Sequence, residues 1–111
     1  IEAPMEFSLR FNVIKKSMRP FSYQFSTLPG SLQPRYDAAG YHVTSALGPD
    51  LMTNAQNAVR DMIDWLVENK NLSREDAYLL CSLAGDLKIS QIVDRPNFGV
   101  SFYLALSVFR G

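Results

Sequence analysis

Between Met5 and Lys15 the chain reads MEFSLRFNVIK, with Met5, Phe7, Leu9, Phe11 and Val13 apolar and Glu6, Ser8, Arg10 and Asn12 polar between them. Successive side chains of a strand point to opposite faces, so the alternation predicts a long strand with one dry and one wet face. Phe21, Tyr23 and Phe25 repeat the pattern after the turn-like KSMRP, which predicts a strand folding back on the first as a hairpin. The stretch from Ser26 to Gly40 carries two prolines, two glycines and little periodicity, and reads as a long surface loop. Tyr41 to Ser45, YHVTS, is a short strand candidate.

The period then changes from two to between three and four. Leu51, Met52, Ala55, Val59, Met62, Ile63, Leu66 and Val67 recur at helical spacing, with Arg60, Asp61, Asp64 and Glu68 on the other side. Asp50 is placed to cap this helix, Pro49 stops it growing backwards, and Asn71-Leu72 breaks it. Ser73 and Asp76 have the spacing of a capping box for a second helix, REDAYLLCSLA, although Asp is shorter than the preferred Glu or Gln. Gly85 follows, in the place of a left-handed C-terminal cap. Leu87 to Val93 and Phe98 to Phe109 read as strands around the turn residues of DRPN. Both alternating sets of the last strand are largely apolar, so both of its faces should be covered. Strands, a helix pair and more strands predict one α+β domain over residues 1–111, a mainly antiparallel sheet with the two helices packed on it.

Composition changes this picture little. Apolar residues make up 47% of the 111, and 11 basic residues balance 11 acidic ones. The balance leaves no basic footprint for nucleic acid or an anionic membrane, and weak repulsion between copies favours a homo-oligomer. No apolar run is long enough to span a bilayer, and the first residues lack the pattern of a signal peptide. The single cysteine excludes an internal disulfide and fits a reducing compartment, hence a cytoplasmic location. One cysteine and one histidine cannot build a zinc site of the His/Cys type.

Three residues are candidates for chemistry. Cys81 is either a nucleophile or a small buried apolar residue. A thiolate wants a helix N-terminus or a cation beside it, whereas Cys81 lies in the last turns of its helix, which favours the buried reading. Asp86 is either a solvated turn acid or a carboxylate lining a site, since an acid beside the negative end of a helix needs some reason to be there. His42 is either packed or exposed without a role, or the default general acid–base group near neutral pH. Asp94 reads as a turn residue bonding its own backbone, and Trp65, Met52 and Met62 as core or interface. No phosphate-binding glycine loop, carboxylate pair or Ser/His/Asp set can be assembled, and Gly-x-Ser-x-Gly is absent.

The second half of the chain resembles the C-terminal part of the acetamidase/formamidase family. The resemblance is carried by the GPDL turn, the AV-x-x-MIDWL helix, the block LSREDAYLLCSLAGDLKISQIVDRPN and a closing strand that ends in phenylalanine, with MEFSLRFNVIKK as the opening strand. It implies hydrolysis of the C–N bond of small linear amides such as formamide or acetamide, giving a carboxylate and ammonia. Family members are longer, and their amino-terminal part, rich in His, Asp and Glu, is where the resemblance places the main catalytic groups and any divalent metal. No cofactor is therefore expected within this chain. Its partners would be the remainder of the enzyme, the amide and further copies of itself. A chain beginning at Ile1 rather than at methionine agrees with a fragment of a longer protein. The alternative is a non-enzymatic oligomeric binding or scaffold module derived from that family.

Overall fold

The computed structural model describes residues 6, 8, 10–12, 22–29 and 38–109. The expected first strand falls mostly outside them. Of its described residues, Phe11 is exposed, although alternation placed it on the dry face. The described chain forms β1 (Ser22–Ser26), β2 (Tyr41–Gly48), α1 (Leu51–Lys70), α2 (Arg74–Ala84), β3 (Gly85–Gln91), β4 (Phe98–Ala105) and a closing 3-10 turn, Leu106–Phe109. The four strands make one antiparallel sheet in the order β1-β2-β4-β3. The fold is α+β, as the switch in hydrophobic period predicts.

Several boundaries differ from the sequence reading. The strand at Tyr41 runs on to Gly48, because Ala46 and Leu47 continue its ladder with β4. β1 pairs antiparallel with β2, from Ser22 opposite Ala46 to Ser26 opposite His42. The last strand stops at Ala105, and Leu106 to Phe109 coil into the 3-10 turn.

α1 is capped at Asp50, whose carboxylate accepts from the Thr53 amide at 2.6 Å, a bond that holds its carboxyl below the usual range. It ends at Asn71, whose φ of 55° is left-handed. α2 starts at Ser73, whose hydroxyl accepts from the Asp76 amide at 3.0 Å and donates to the Asp76 carboxylate at 2.8 Å. The short aspartate thus takes the Ser73 hydroxyl, whereas the Glu or Gln of a full capping box reaches the cap residue's amide.

Both helices lie on one face of the sheet. Met62 and Leu66 of α1 are fully buried over Ala46, Phe102 and Leu104, with Ala77 and Cys81 of α2 closing the cluster. Burial of each large side chain is worth about 1.5–3 kcal/mol. Two polar residues of α1 belong to this interior. Asn54 donates through Nδ2 to the carbonyls of Gly48 at 3.0 Å and Phe98 at 3.1 Å, tying the end of β2 to the start of β4. Asp61 is 5% exposed, so it is not on the wet side where spacing put it. Met52 is the reverse case, 67% exposed at the first turn.

Gly85 also departs from expectation. Its φ of −90° and ψ of 146° are extended, so α2 runs into β3 without a left-handed cap. Its amide donates to the Cys81 carbonyl. A Cβ here would run into Cζ of Phe102. Glycine is needed for a close ring, not for a backbone turn.

The opposite face carries two rows of side chains. Tyr23, Ser45, Ser101 and Lys88 are in register across the four strands, as are Phe25, Val43, Tyr103 and Asp86. Phe25 meets Tyr103 edge-on at 6.4 Å, and Tyr41 meets it at 6.0 Å. Ser101 donates to Ser90 at 3.0 Å, which leaves Ser45 to donate to Ser101 at 2.7 Å. β2 and β4 are buried on both faces, as the apolar sets of β4 predict.

Candidate functional site

His42 is the candidate with the most side-chain partners. It sits on β2 opposite Ser26 of β1, facing the helices, and is 5% exposed. Its ring stacks on Trp65 of α1 with centroids 3.7 Å apart and planes 11° from parallel. Nε2 lies 3.0 Å from Oε1 of Gln24, and Nδ1 lies 3.4 Å from Oγ of Ser26. The amide oxygen can only accept, so Nε2 carries the proton and Nδ1 accepts from the serine hydroxyl. Burial pushes the imidazole down to about 4, and the nearby Lys70 ammonium adds to the shift. Lys70 lies over the other aromatic groups here, 5.5 Å from the Trp65 centroid and 4.5 Å from that of Phe109. With both nitrogens engaged, His42 is held neutral and has no nitrogen left for a substrate proton.

Cys81 faces inward from α2, 4% exposed beside Ala77. Burial pushes its thiol up to about 11, the reverse of what a nucleophile needs. Asp86 is exposed on β3, on the far face of the sheet from the helices, opposite Tyr103. The three candidates therefore occupy a β2–α1 seam, a helix core and a sheet edge, and the fold does not bring them together. Asp94 also bonds differently from the expectation. Its carbonyl takes the Asn97 amide at 2.6 Å, while its carboxylate accepts from Gln91 at 2.9 Å.

Sequence reasoning missed a cleft between the helices. Ala55, Gln56, Val59, Arg60 and Ile63 of α1 and Tyr78 of α2 line an open, mainly apolar hollow of about 440 Å³. The signal is present in α1, whose apolar stripe is too wide for one seam. Ala58, Met62 and Leu66 face the sheet, leaving Ala55, Val59 and Ile63 beside them for the cleft. The hollow is much larger than formamide or acetamide and offers polar groups only at Gln56, Arg60 and Tyr78. Its walls suit an apolar side chain better than a small amide.

Among the described residues no three His, Cys, Asp or Glu side chains are grouped closely enough to hold a metal ion. They do not supply a ligand set. No helix among them is long and apolar enough to cross a membrane.

Comparison with known proteins matches the model of the acetamidase/formamidase family to residues 1–111. A solved acetamidase from Bacillus halodurans is 39% identical, with a TM-score of 0.58, over 62% of this chain and 23% of its own. The match thus spans less than a quarter of that protein's length. No curated protein matches the chain. The two helices, the sheet they cover and a family match along the full sequence lead to one assignment: the chain belongs to the acetamidase/formamidase family.

Proposed function

We propose that the chain is the C-terminal portion of an amidohydrolase that hydrolyses small linear amides, formamide or acetamide, to carboxylate and ammonia. The observation that carries this reading is the family match over residues 1–111. The candidate residues support the division of labour. His42 has both ring nitrogens engaged, Cys81 is buried as a thiol, and Asp86 stands apart from both. Hydrolysis needs an activated nucleophile and donors aimed at the developing oxyanion. The main catalytic groups then lie outside the described residues, which serve as a wall and support of the pocket.

Ammonia release from formamide and acetamide tests the proposal. The chain alone should release none. The corresponding segment of the Bacillus halodurans acetamidase, replaced by this chain, should leave that enzyme active. Turnover by the isolated chain at the rate of the chimera would overturn the division of labour. An inactive, well-folded chimera would favour the second reading, a non-enzymatic oligomeric module, for which the exposed edge of β3 is the supporting observation.

A further inference from the structure

β3 is an edge strand: among the described residues its ladder partner is β4 alone. Leu87 and Ile89, on the helix side, are 52% and 58% exposed. Asp86 and Lys88 are exposed on the other face, where the Lys88 ammonium lies 5.2 Å from the Tyr103 ring centroid. An exposed edge strand with one apolar and one charged face is a template for another strand of matching pattern.

We propose that two copies of the chain pair through β3, antiparallel about a two-fold axis at Leu87, joining their sheets into one. The register follows from charge. A two-fold antiparallel pair matches residues of the same parity, so few alignments exist. Centring on Asp86 sets two carboxylates face to face, and centring on Lys88 sets two ammonium groups face to face. Centring on Ile89 runs into the irregularity between Ile89 and Gln91. Centring on Leu87 sets Asp86 opposite Lys88 of the second copy, and Lys88 opposite its Asp86. Opposite charges directly across a ladder stabilise it and like charges oppose it. The same alignment brings the two Leu87 side chains together on the helix side, with each Ile89 flanking them. Such an interface is isologous and closes at the dimer.

Sedimentation equilibrium of the chain over a range of concentrations, with charge reversals, tests the pairing. The unaltered chain should dimerise. Lys88→Glu and Asp86→Lys should each weaken the dimer about tenfold or more, through two like-charge pairs. An equimolar mixture of the two variants should recover the dimer as a heterodimer, because each reversal complements the other. Leu87→Lys, which sets two ammonium groups on the axis, should also dissociate it. Hydrogen exchange gives an independent reading, with the outward amides of β3 slowing as concentration rises. A monomer at every concentration, a dimer indifferent to both reversals, or β3 amides protected equally at all dilutions would each overturn the proposal. The last outcome would mean that another segment of the same molecule covers the edge.

Discussion

β3 and β4 are hydrogen-bonded neighbours, yet one is exposed almost throughout and the other buried almost throughout. They share one ladder, and among the described residues β4 alone of the two has a second, with β2. Packing separates them further. α1 lies across β2 and β4, where Met62 and Leu66 meet Phe102 and Leu104. β3 receives only the end of α2, from which it emerges without a loop. A strand's stability depends on what stands above and below it as well as on its ladders.

The sharpest way to break this comparison is to remove equal side chains from the two regions. Leu66→Ala, at a fully buried site, should cost roughly 2–5 kcal/mol in a denaturant titration. Leu87→Ala, on the half-exposed edge, should cost less than about 1 kcal/mol in the monomer. Equal losses would mean that β3 has cover as good as that of β4.

Acid probes the buried side through β2. His42 stays neutral in the folded chain down to about pH 4, but takes a proton near its ordinary value of 6.5 once unfolded. Between those values the unfolded state binds more protons, so stability falls as pH falls, by roughly 3 kcal/mol when the window has been crossed. Stability curves from pH 7 to pH 4 should show this loss, and His42→Gln should remove it. A pH response unchanged in that variant would place the acid-sensitive group elsewhere.

Two smaller effects concern the junction of the regions. Gly85→Ala would press a methyl into the Phe102 ring, and about 1–3 kcal/mol of thermal or chemical stability should be lost. Cys81→Ala should cost about 1–2 kcal/mol through a small cavity and leave turnover of the chimera intact. In the native chain the Cys81 thiol should react slowly with maleimide at neutral pH, since burial keeps it protonated.

The elements whose signal is local were legible in the sequence. α1 announces itself through its period and the Asp50 cap, α2 through Ser73 and Asp76, and β4 through its two apolar sets. Gly85 was misread because its reason for being glycine is Phe102, a ring brought in from another strand. Asp61 and Asn54 were placed by polarity on the wet side or passed over, yet both are buried. For Asn54 the partners are the two strand-end carbonyls that it joins. The state of His42 was no more legible, because Gln24 and Ser26 reach it from β1 and Trp65 from α1. Nothing in the short strand around it signals those neighbours. The candidate chemistry was legible chiefly as a family signature, since none of the three candidate side chains meets another.

The stack of His42 on Trp65 has an optical consequence. Trp65 is the only tryptophan of the chain, so intrinsic fluorescence reports on one point, the seam between β2 and α1. A protonated imidazole quenches indole emission where a neutral one does so weakly. The emission of the folded chain should therefore hold steady until acid forces a proton onto His42, making a native side-chain pair a built-in gauge of whether that seam is closed.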